Sequence, residues 1–189
     1  MTWPFLYVPG DRLSATELAA ARLDGDVVEI GEAFIPADAL ETRELRAASL
    51  RPLVSDGLVA THSSAAWVHG ARTEPPRRHS VQRLSATRLP HVLHGRLHYR
   101  DGRMPPAHAV RFGGVAVTTI GRTLADLVRA DLAAGRDIGG DAHAFATAID
   151  GSVAAAITVL VEGSPVGFKR PALAWLRARE TAGQDDVTR

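Results

Sequence analysis

Between residues 79 and 119 the apolar side chains recur at a period close to two, and on both sides of that stretch they recur at helical spacing. The stretches "RHSVQRLS", "GRLHYRD" and "HAVRFGGVAVTT" carry the alternation. In the second of them Arg96, His98 and Arg100 fall on one face of a strand, and Leu97 and Tyr99 on the other. The expectation is an antiparallel sheet with one wet, basic face.

The flanking segments read as helices and one hairpin. In "SATELAAARLDG", Ser14 and Glu17 have the spacing of a capping box, and Gly25 closes the helix. "DVVEIGEAFIP" reads as two short arms, Val27 to Ile30 and Ala33 to Ile35, joined by a Gly31-Glu32 turn. A helix followed by a hairpin is the back half of a winged helix. Residues 42–54 are helical in pattern, with Leu45, Ala48 and Leu53 near one face. "DGLVATH" supplies a turn and a short strand. "SSAAWVHG" supplies one or two helical turns, capped by Ser63 or Ser64 and stopped by Gly70, with Trp67 as a core plug. The clearest helix is "TTIGRTLADLVRADLAAG", which Thr118 or Thr119 caps and whose apolar stripe is Leu124, Leu127, Val128 and Leu132. Further helices are expected at 140–149, 152–162 and 171–180, with a frayed tail from 181. The predicted fold class is α+β: a small winged-helix-like N-terminal part, a central antiparallel sheet and a helical C-terminal third. The predicted division is 1–57, a degenerate winged-helix-like segment plus linking helix, and 58–189, an α+β domain.

The chain of 189 residues has a net charge of only +1, but the charge is distributed in blocks. Residues 1–60 hold 5 arginines against 10 carboxylates, a net −5, whereas residues 61–130 hold 11 arginines against 3, a net +8. Seven of the eight histidines also lie in that basic block. Such asymmetry points to an anionic partner for the middle third, or to an acidic N-terminus folded over it. There is no cysteine, which excludes disulfides and thiolate-held zinc or iron–sulfur centres. The N-terminus "MTWPFLYVPGD" lacks the basic flank of a signal peptide, and the longest apolar run, "SVAAAITVLV", is about half of the roughly 20 residues a spanning helix needs. A soluble, cytoplasmic protein with no membrane contact is expected.

Three chemistries can be weighed against these residues. Ser63 or Ser64 beside His62 or His69 lacks the strand–turn–helix setting of a nucleophilic serine, so the serines read as caps. His91, His94 and His98 invite a zinc reading, but Gly95 and the strand at Arg96 break any helix that would align the first two, and no carboxylate stands near to orient them. A divalent-ion nuclease needs clustered carboxylates and a lysine; the single Lys169 lies in "GFKR", far from the basic block. No cofactor is expected. What remains is a set of candidate nucleic-acid-binding residues, Arg77, Arg78, Arg83, Arg88, Arg96, His98, Arg100, Arg103 and Arg111, dense enough to neutralise several phosphates.

Two motifs, "THSSAAWVHGA" and "VAVTTIGRTLADLVR", together with the order of the pieces around them, resemble the AbiEi-type antitoxins and their actinobacterial regulator relatives. The resemblance spans most of the chain, although only these two motifs are specific. It implies an N-terminal winged helix that binds operator DNA, transcription regulation, and a C-terminal domain that helps to neutralise a nucleotidyltransferase-type toxin. The chain departs from that pattern before Val27, where there is room for one good helix, and the hairpin is acidic, with Asp24, Asp26, Glu29 and Glu32, a charge that repels phosphate. DNA contact is therefore expected from the arginines of the middle third. The expected function is a non-enzymatic regulator or antitoxin-like protein binding DNA, a partner toxin, or both. The competing expectation is a nucleic-acid-processing enzyme that uses the basic sheet face.

Overall fold

The computed structural model describes residues 4–87 and 94–187. The fold class is α+β, as expected, and the chain separates into two units. One comprises residues 1–60 and 75–117, and the other 61–74 and 118–189. The chain crosses between them at three places. The N-terminal segment belongs to the same unit as the sheet.

The sheet unit begins with helix α1 (Ala15–Asp24) and strands β1 (Val27–Ile30) and β2 (Ala33–Pro36). The capping box forms as the sequence implies: the Ser14 main-chain N–H donates to Glu17 at 2.8 Å, and the Glu17 N–H donates to Ser14 Oγ at 3.2 Å. The Ser14 N–H, and after it the Ser14 hydroxyl, which donates to the same carboxylate at 2.8 Å, favour the charged form and hold the Glu17 pKa below its ordinary value. Gly25, at φ +84°, ends the helix in the left-handed conformation. β1 and β2 pair antiparallel across the Gly31-Glu32 turn, and Tyr7 bridges to Phe34 on the outer side of β2. Helix α2 (Arg43–Ser49) is shorter than the pattern over 42–54 suggested. Its N-cap is Thr42, and the chain leaves it in turns that carry Leu53 half-buried.

Five strands make the main sheet: β3 (Leu58–Ala60), β4 (His79–Arg83), β5 (Leu97–Arg103), β6 (Ala109–Phe112) and β7 (Val115–Thr118). Their order is β5-β4-β3-β7-β6. The antiparallel expectation is corrected here. β3 runs antiparallel to β4, but β3–β7 and β4–β5 are parallel. Local alternation sets which residues share a face; it does not set which strands become neighbours, because parallel neighbours are joined by long connections. The central strands are covered on both sides, so β3 and β7 are buried along their whole length. Val59, Met104 and Ala116 form a buried cluster on one face, with Leu84 and Ala109 against it.

The second unit is helical. It contains α3 (His62–Val68), α4 (Ile120–Ala133), α5 (Gly140–Ala148), α6 (Ser152–Glu162) and α7 (Lys169–Val187). Leu124, Leu127 and Val128 of α4 meet Phe145, Ala156, Leu160, Ala172, Leu176 and Ala66 in one core. Leu132, the fourth member of the expected stripe, packs against that core half-buried. Gly121 lies where α4 crosses α6: a Cβ there would fall 2.6 Å from the main-chain carbon and oxygen of Ala155. α7 continues as helix through the segment expected to fray, as far as Val187. Among the described residues no single helix is long and apolar enough to cross a membrane.

The two motifs that carry the resemblance meet inside this helical unit. α3 starts two or three residues earlier than expected, with Thr61 rather than Ser63 or Ser64 in the N-cap position, and Ser64 is buried within the helix. Trp67 is fully buried, as the sequence implies. At the far end His69 Nε2 donates to the Thr118 carbonyl at 2.7 Å, and the ring stands edge-on to Phe145 with centroids 5.7 Å apart. Thr118 and Thr123 hydroxyls are 2.7 Å apart, and Thr119 is the N-cap of α4. Arg122 and Arg129 both bond the Asp126 carboxylate, at 2.7 and 3.1 Å, and Asp126 is only 4% exposed. "WVHG" and "TTIGRTLADLVR" are thus two halves of one joint: an imidazole held on a carbonyl, and a buried carboxylate between two guanidiniums.

Candidate nucleic-acid interface

Arg96, His98, Arg100 and Arg103 lie on or next to β5, an edge strand of the sheet. Along β5 the alternation holds as far as Arg100. Arg96, His98 and Arg100 are exposed, Leu97 is buried and Tyr99 is half-buried. β4 runs parallel alongside, with Ser80 opposite His98 and Gln82 opposite Arg100. The register then shifts, so that Arg83 pairs with Arg103 while Asp101 and Gly102 bulge out. Since adjacent residues point to opposite faces, this register puts Arg103 on the face away from His98 and Arg100. The three side chains therefore straddle the edge rather than paving one face. Burial first, and then the hydrogen bond from its hydroxyl to Asp101 at 2.9 Å, raise the Tyr99 phenol above its ordinary pKa.

The nine candidate residues fall into groups with different availability. Four arginines are engaged by the protein itself. Arg78 donates to the Leu97 carbonyl at 2.7 Å, tying the start of β4 to β5. Arg83 donates to the carbonyls of Asp101, Ser85 and Ala86 and faces the Asp101 carboxylate at 3.3 Å, so it braces the bulge. Arg96 bonds Glu32, in the turn of the β1–β2 hairpin, at 2.5 Å. Arg111 bonds Asp56 at 3.0 Å and the Gly114 carbonyl at 2.8 Å. It also lies on β6, the opposite edge of the sheet, four strand spacings or about 19 Å from β5. Arg88 lies outside the described residues, as does His91. Arg77, His98, Arg100 and Arg103 are exposed and make no hydrogen bond or ion pair among the described residues.

One residue that sequence reasoning missed is Glu32. Its carboxylate meets Arg96 and stands 3.4 Å from Nε2 of His79, which is completely buried at the start of β4. The signal was present as an acidic hairpin beside a basic block. Which carboxylate would meet which arginine depends on a contact across 64 positions that no local pattern encodes.

Fold and edge together define an α+β protein of two units, one of which carries on its edge strand two exposed arginines, Arg100 and Arg103, with no partner among the described residues. No family model matches the chain, and no curated protein matches it. Among solved structures, the crystal structure of RV2827C protein from Mycobacterium tuberculosis is similar over 90% of this chain and 76% of that one, at 18% identity and a TM-score of 0.36. A likeness at that level carries no argument about fold or function.

Proposed function

We propose that the protein is a non-enzymatic, cytoplasmic DNA-binding regulator of the antitoxin-like kind that its two motifs resemble, and that it contacts the phosphate backbone through the β5 edge. One observation carries this reading: Arg77, Arg100 and Arg103 are exposed and have no anion of their own among the described residues. A guanidinium without an internal partner is available for a bidentate phosphate contact. Side chains on both sides of an open edge reach a polyanion that runs along it. Contacts of this kind give affinity without sequence readout.

The test is an anisotropy titration of the full chain with duplex DNA from about 50 to about 200 mM salt. Three phosphate contacts give a slope of log affinity on log salt near −2.7, hence a loss of about 40-fold over that range. The Arg100→Ala and Arg103→Ala double variant should leave a slope near −0.9. Absence of binding at the lowest salt would overturn the DNA reading and turn attention to an acidic protein surface, such as that of a nucleotidyltransferase-type toxin.

A further inference from the structure

We propose that Arg96 and His79 form an oxyanion seat which Glu32 fills in cis, and that a nucleic-acid phosphate takes this seat when the hairpin turn withdraws. The inference rests on the DNA reading above and adds a regulatory contact to that site. Arg96 immediately precedes β5 and continues the row of His98 and Arg100, with alternate residues about 6.6 Å apart along a strand. It is the position of that row adjoining His98, and it differs from Arg100 in having an anion already bound.

The bound anion is unlike a surface ion pair. The Glu32 side chain is 18% exposed, although it sits in the two-residue turn of a hairpin, where a carboxylate is ordinarily solvated. The neighbouring Glu29 points elsewhere, to Arg22 at 2.9 Å. On its inner side Glu32 faces the wholly buried His79 ring; on its outer side it holds Arg96, which is 47% exposed. A guanidinium offers the same fork of N–H donors to a carboxylate and to a phosphate, so the two compete for one place. The acidic turn thereby removes one cation from the edge while it is docked.

The experiment compares four full-length proteins, the wild type, Glu32→Gln, Arg96→Ala and the double variant, in the same duplex-DNA titration. Glu32→Gln keeps the shape and removes the charge. It should bind more tightly at low salt with a slope steeper by about 0.9, so that its advantage shrinks about 3.5-fold between about 50 and about 200 mM. Arg96→Ala alone should leave the wild-type slope unchanged, and in the double variant the gain should vanish. Should the gain survive in the double variant, it comes from long-range charge and the seat is refuted. A loss of about 0.9 in slope on Arg96→Ala alone refutes it too, since Arg96 would then already reach phosphate, and this arm does not depend on Glu32→Gln folding. If the wild type binds and Glu32→Gln matches it, the seat is a fold contact only and the DNA reading stands. If no variant binds at the lowest salt, both readings fall.

Discussion

Gly121→Ala sets two effects of opposite sign against each other at the crossing of α4 and α6. In a helix interior alanine is favoured over glycine by about 1 kcal/mol, and at the second residue of α4 that figure is an upper bound. Against it stands the space. The added methyl would lie 2.6 Å from both C and O of Ala155 and 2.9 Å from its Cβ. Ordinary contact needs about 0.8 Å more, and two of the three neighbours are main-chain atoms that no rotamer change can move. Helix α6 must shift, and α6 carries Ala156 and Leu160 into the core shared with α4. Overpacking of this kind costs about 1–3 kcal/mol, and rigid neighbours place it in the upper part of that range. The net is a loss of about 1–2 kcal/mol, or about 2–8 °C in Tm for a chain of this size. The assay is thermal and urea denaturation of wild type and variant, followed by circular dichroism at 222 nm. A second arm sharpens the test. Adding Ala155→Gly relieves only the 2.9 Å contact, so it should recover little of the loss. An unchanged or higher midpoint for Gly121→Ala would refute the main-chain-to-main-chain approach of these two helices.

Two further predictions concern the joint between the motifs. Trp67→Ala should destabilise by about 3–5 kcal/mol, because the ring is fully buried, and an unshifted urea midpoint would show that α3 is no core element. Asp126→Ala should cost about 2–4 kcal/mol, since it strips the shared carboxylate from Arg122 and Arg129, which keep roughly a fifth of their side-chain surface in water; a chemical-denaturation loss below about 0.5 kcal/mol would mean that solvent replaces the carboxylate at no cost.

Local chemistry was legible in the sequence where the partners lie within a few residues. The Ser14–Glu17 box, the β1–β2 hairpin about Gly31 and Glu32, the core stripe of α4 and the burial of Trp67 all depend on spacing of that kind. The cap of α3 was misjudged because Thr61 passes directly from the end of β3 into the helix, leaving no loop for Ser63 or Ser64 to close. Strand order was out of reach for a different reason. β3 has three residues and finds β7 more than 50 positions away, and nothing in "LVA" names that neighbour. The unit division was hidden likewise, since α3 leaves the sheet unit for the helical one in mid-chain.

The candidate site shows the same limit in electrostatic form. Charge density along the chain identified the basic block, and alternation put Arg96, His98 and Arg100 on one side of a strand. Whether a given arginine is available depends on what the fold brings to it. Arg83 turns back on the bulge that it helps to create, and Arg111 meets Asp56 at the far edge. Arg96 meets a glutamate from a hairpin that repels phosphate when judged by its own charge alone. The net charge of the segment is the same in every case. A cation already bound to a carboxylate adds little to the field that a polyanion meets, because the pair is nearly neutral beyond a Debye length of about 10 Å at 0.1 M salt. Of the candidate arginines among the described residues, Arg77, Arg100 and Arg103 are exposed with no internal partner, fewer than the +8 of residues 61–130 suggests. Binding at this edge should accordingly be modest and dependent on salt, and release of Arg96 from Glu32 should add one contact to it.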